Sequence, residues 1–68
     1  MHYKHLHAKP RVVVNLLSGT SISGVIVSTR GPLVTVKSAF IHEDGREAMS
    51  ADGEIAIDKA NIDFIQAL

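Results

Sequence analysis

Two short alternating runs, Glu54–Ile57 and Ile62–Ile65, flank the polar turn Asp58-Lys59-Ala60-Asn61, and they constrain this chain more than any other feature. Apolar residues at every second position, broken by a short polar stretch, mark two consecutive strands, read here as a closing hairpin. The chain has only 68 residues and no cysteine, so its core is small and no disulfide or thiolate zinc site can staple it. Unstapled scaffolds of this size lean on oligomerisation. The last two runs are therefore expected to complete a small barrel and to pair with another copy.

The remainder of the chain supplies three more strands. Arg11–Leu17 is β-branched, with Val12, Val14 and Leu16 on one face and Val13, Asn15 and Leu17 on the other. Ser18-Gly19-Thr20 turns it into Ser21–Thr29, where Ile22 and Ile26 alternate with Ser21, Ser23, Val25 and Val27. Gly24 lies inside this second strand, where glycine marks a bulge or a sharp bend, the device a very small barrel needs. Arg30-Gly31-Pro32 breaks the chain before Leu33–Ile41, a third run in which odd and even positions alternate without interruption. Glu43-Asp44-Gly45-Arg46 carries an Asp-Gly hairpin signal, and residues 46–53 continue as a strand or form a loose loop. Asp58 also suits the cap of a helix bearing Ile62, Ile65 and Leu68, but the Ile55/Ile57 alternation and an open sheet edge favour a strand. The expected fold is all-β: a five-stranded, strongly bent antiparallel small barrel over residues 11–68.

Residues 1–10 are expected to form a separate N-terminal arm or short helix ending at Pro10. Its His2, His5 and His7 are suited to a transition metal, although histidines on a terminal arm are more often simply solvated. Behind the basic start there is no apolar stretch of a signal peptide, and nowhere do the ~20 apolar residues of a membrane span occur. A cytoplasmic or virion location is expected. Formal net charge is zero, but residues 1–37 hold five cations and no carboxylate, whereas residues 38–68 hold seven carboxylates and two cations. This division suits solvated faces, a head-to-tail contact between basic and acidic surfaces, or a basic arm for an acidic partner. Neutrality argues against strong non-specific DNA binding, which depends on phosphate neutralisation.

With the strands placed, residues 11 to 65 resemble the Sm and Sm-like (LSm) proteins. Val12, Val14, Leu16, Ser18-Gly19, Ile22, Gly24 and Ile26 resemble the first Sm motif. Gly53, Ile55, Ile57, the four turn residues, Ile62, Phe64 and Ile65 resemble the second. The resemblance implies a short N-terminal helix on the barrel and rings of several copies joined from the fourth strand to a neighbour's fifth. Ile55, Ile57, Ile62 and Phe64 would then be subunit-interface residues. The turn before Ile62 is also similar to that of small Sm-like proteins encoded by tailed bacteriophages, which implies a capsid or tail protein meeting other structural proteins. RNA-binding members carry an aspartate and an asparagine in the loop after the second strand, and arginine with glycine after the second-motif isoleucine. Here the first loop is Ser28-Thr29-Arg30-Gly31-Pro32, and Ile57 is followed by Asp58 and Lys59. A carboxylate there repels phosphate, and neither loop has an aromatic ring for base stacking. Arg30, Lys59 and Asn61 are the remaining candidates for RNA contacts, in an alternative reading as a riboregulator.

Catalytic patterns fail on their own terms. Gly19-Thr20-Ser21-Ile22-Ser23-Gly24 lacks the Lys-Ser/Thr of a phosphate loop and the spacing of a nucleophile elbow. His42-Glu43-Asp44 continues to no second histidine. The sequence thus points to a non-catalytic assembly module, without cofactor or small-molecule substrate.

Overall fold

The computed structural model describes residues 11–68. The arm expected over residues 1–10, with its three histidines, lies outside the described residues. Five strands follow in order: β1 (Val12–Leu16), β2 (Ser21–Ser28), β3 (Leu33–His42), β4 (Met49–Asp58) and β5 (Ile62–Ala67), with a 3-10 turn at Lys59–Asn61. They form one antiparallel sheet in the order β4-β3-β2-β1-β5. The expected all-β, five-stranded, bent antiparallel architecture is therefore the observed one.

The closing hairpin is not a hairpin. β5 pairs with β1, with Val14 opposite Ile65 and Val12 opposite Ala67, while β4 pairs with β3 at the far edge of the sheet. The polar turn is too short to cross a flat sheet of this width, since each strand adds about 4.8 Å. It connects the two edges because the sheet curls until they lie close. The curl buries an aliphatic core of Val12, Val14, Ile22, Ile26, Val34, Val36, Ala39 and Ile57. Four valines fill its centre, completely shielded from water.

Three neighbouring strands are irregular along one line. Gly24 lies between the pairs Ser23–Phe40 and Val25–Lys37, so a single β2 residue faces Ser38 and Ala39 of β3. On the other side, Ser38 faces Asp52 and Gly53 between the pairs Lys37–Glu54 and Ala39–Ala51. An added Cβ at Gly24 would lie 2.9 Å from the Lys37 carbonyl oxygen and 3.3 Å from the Val36 Cβ, so no larger residue fits. Gly53 and Ser38 have positive φ, 74° and 51°. Such bulges increase twist and bend a sheet, and Arg11 supports this one by donating from Nη2 to the Ser38 carbonyl at 3.0 Å.

The bulge also changes which side of β3 faces the core. Val34 and Val36 are buried before it, and Ala39 is buried after it with Ile41 packed alongside. The uninterrupted alternation expected from Leu33 to Ile41 is therefore broken at Ser38. Phe40 turns outward and is 42% exposed. At the next turn, Arg46 N–H donates to the Glu43 carbonyl at 3.2 Å. Strand pairing resumes with Ile41 opposite Met49, so residues 43–48 make a longer connection than a two-residue Asp-Gly hairpin. Residues 49–53 belong to the strand.

Candidate assembly edges and loop cluster

The polar turn Asp58-Lys59-Ala60-Asn61 is fixed at both ends. Asp58 accepts from the Ala60 N–H at 2.9 Å and so caps the 3-10 turn. Within the turn, the Lys59 N–H donates to the Pro32 carbonyl at 2.8 Å. The Asn61 carbonyl accepts from the Leu17 N–H at 2.9 Å. Three residues thus tie the β2–β3 loop to the end of β1 and close the curled sheet. The Lys59 ammonium adds a hydrogen bond to the Thr29 carbonyl.

This geometry brings the loop of Arg30 against the turn of Lys59 and Asn61. Arg30 and Asn61 are exposed, whereas Lys59 is half-buried and its ammonium holds the neighbouring loop. The Asp58 carboxylate is engaged with backbone. Arg30 is consequently the more exposed cation of the two, and no pattern around Lys59 signals that it serves a loop carbonyl. Among the described residues, no group of three or more His, Cys, Asp or Glu side chains is placed to hold a metal ion. A groove of about 240 Å³ between Ser18-Gly19-Thr20 and Glu43, Asp44 and Arg46 has two surface turns for walls and is open to water.

The four expected interface residues lie on the two outermost strands, but their side chains differ. Ile57 is 6% exposed and belongs to this protomer's core, so at the edge of β4 it offers only its backbone. Ile55 and Ile62 are half-buried against the same core. Phe64 projects from the opposite face, 47% exposed, where it pairs with Asn15. Both edges present a line of backbone groups with no further strand beyond them among the described residues.

Charge at these edges departs from the head-to-tail complementarity that the sequence allowed. β4 carries Asp52, Glu54 and Asp58, and β5 carries Asp63, with no lysine or arginine on either strand. The acidic half of the chain does not form one side of the molecule. Its last strand crosses to β1, so both edges are acidic, while Lys37 lies on the interior strand β3.

A short, strongly curled, antiparallel sheet with two open edges and an aliphatic core defines a small open β-barrel. Its likeness to solved structures makes the class specific: the chain has the Sm-like fold. It superposes on the crystal structure of the P. aerophilum SmAP1 heptamer with a TM-score of 0.80, covering 100% of this chain and 96% of that one at 19% identity. No protein-family model and no curated protein matches the sequence. Among the described residues no helix is long and apolar enough to cross a membrane.

Proposed function

We propose that this protein is a non-catalytic assembly module that joins copies of itself into a ring through the β4 edge of one protomer and the β5 edge of the next. The observation that carries the reading is the pair of open edges on one curled sheet. Unpaired edges invite strand addition, and a closed ring satisfies both without generating a filament. The heptameric state of the structurally similar SmAP1 supports self-assembly. Ile55, Ile57, Ile62 and Phe64 then lie along the contact, the isoleucines setting the edge backbone from within and Phe64 supplying exposed apolar surface.

Within this reading the ring is a structural part of a tailed-bacteriophage particle, in capsid or tail, docked to other structural proteins. The similarity of the turn at Asp58–Asn61 to that of phage-encoded Sm-like proteins supports this assignment, and fold alone does not carry it. Native mass measurement of the full chain tests the assembly: a defined multimer is expected at tens of micromolar, and a monomer there overturns it. Presence in purified particles tests the virion assignment.

A second reading rests on the joining of the two loops. Arg30 and Asn61 are exposed beside one another's loops, and Lys59 fixes that arrangement, so the cluster suits an RNA contact. Gel shifts with U-rich and A-rich RNA at two salt concentrations separate the readings. Tight, salt-sensitive binding lost in Arg30→Ala and Lys59→Ala favours RNA over a purely structural role.

A further inference from the structure

We propose that the Asp44-Gly45 linkage, in the connection between β3 and β4, is a site of spontaneous isomerisation at which the main chain comes to run through the Asp44 side chain. The chemistry selects the candidates. A backbone nitrogen attacks the carboxyl carbon of a preceding aspartate most readily when its own residue leaves the approach open, and glycine, with no Cβ, hinders it least. Asp44 and Asp52 are followed by glycine, whereas Asp58, Asp63, Asn15 and Asn61 precede Lys59, Phe64, Leu16 and Ile62. The two Asp-Gly pairs are alike locally: Gly45 and Gly53 share a φ of 74°, and a Cβ at either would meet nothing within 4 Å. Their surroundings differ. Asp52 and Gly53 lie inside β4, between the pairs Lys37–Glu54 and Ala39–Ala51. Asp44 and Gly45 are exposed and outside the strands. The hydrogen bond from the Arg46 N–H to the Glu43 carbonyl, 3.2 Å, spans this pair and leaves the Gly45 nitrogen out.

In the first step the Gly45 nitrogen bonds to the Asp44 Cγ and gives up its proton, and one carboxyl oxygen leaves as water, closing a cyclic imide. In the second, water adds at the Asp44 main-chain carbonyl carbon, and the bond from that carbon to the Gly45 nitrogen breaks. No atom is gained or lost overall. The chain now passes through Cγ and is longer by a single carbon, and the former main-chain carbonyl is a free carboxylate. Ring closure swings the Gly45 nitrogen toward the Asp44 side chain, a movement open to an exposed loop tip but reached in a paired strand only through local opening. The added carbon falls between Glu43 and Arg46, in one wall of the groove shared with Ser18-Gly19-Thr20. Pairing resumes at Ile41–Met49 and the core residues lie in the strands, so the altered chain keeps its fold.

Storage of the full chain in neutral buffer at physiological temperature, followed by trypsin digestion and peptide mapping, tests this. Cleavage after Lys37, Arg46 and Lys59 puts the two pairs on separate peptides, residues 38–46 and 47–59. A second isomer of identical mass, methylated by an isoaspartyl methyltransferase, is expected in the 38–46 peptide. It should accumulate severalfold faster than any isomer in the 47–59 peptide. In chain unfolded by urea the two should form at similar rates, because both pairs are then equally free. Asp44→Glu, whose longer side chain would have to close a larger ring, should lose the 38–46 isomer and keep the melting transition of the unmodified chain. Absence of the isomer from the 38–46 peptide of folded protein overturns the proposal, and so do equal rates in the two peptides of folded protein.

Discussion

At the scale of single residues, two glycines on the bend line do different work. Gly24 is held by lack of space, since a Cβ there would press on backbone of β3 at 2.9 Å. Gly53 has open space around it and is constrained only by its φ of 74°. Gly24→Ala is therefore expected to lower unfolding free energy by about 2–3 kcal/mol, as overpacking does. Gly53→Ala should cost about 1–2 kcal/mol, the left-handed backbone penalty of a residue with a Cβ. Urea titration of both variants checks the order, and equal losses would contradict the packing argument. Gly24 was legible as a bend in the sequence because glycine inside an alternating strand has few other uses. Ser38 was not. Serine rarely adopts positive φ, and nothing in Lys37-Ser38-Ala39 announces that the burial pattern changes parity there.

At the scale of elements, the 3-10 turn acts as a clasp, and the Asp58 carboxylate determines its shape. Asp58→Ala removes the cap and is expected to destabilise the protein by about 1 kcal/mol. Its more specific signature is local: amide exchange should accelerate at Leu17 and Lys59, whose N–H groups cross the clasp, while Val14 and Val36 change no more than global stability requires. Uniform acceleration across the sheet would deny the turn a distinct role. The sequence showed β4 and β5 as strands and showed a turn between them. Alternation did not show that they lie at opposite edges, because it reports which side of a strand is buried and is silent about its neighbour; only the resemblance to Sm-like proteins, which joins the fourth strand to a neighbour's fifth, implied it. The pairing of β5 with β1 depends on curvature built up elsewhere, at Gly24, Ser38 and Gly53. The candidate site was partly legible for the same reason: the edge residues could be named, but not that Ile57 faces inward or that Lys59 binds a loop carbonyl.

At the scale of the whole molecule, stability and assembly should separate by mutation. Ile57→Ala opens a cavity in the core and is expected to cost about 2–4 kcal/mol of protomer stability. Phe64→Ala removes a half-exposed ring from the outer face, and should leave the melting transition within a few degrees while weakening self-association severalfold. Thermal unfolding together with native mass distinguishes them, and loss of protomer stability in both would remove Phe64 from the interface. The sheet order has a further effect during synthesis. β1 leaves the ribosome before the other strands of this sheet, yet its outer partner is β5, and a hydrogen bond from Asn15 to Gln66 joins the two across a separation of 51 residues. Until residues 62–67 emerge, β1 presents an unpaired edge of its own and the core lacks the flanking Ile62 and Ile65. Nascent chains on crowded polysomes are then most prone to capture a neighbour's strand in place of their own, and β5 is the strand most readily exchanged.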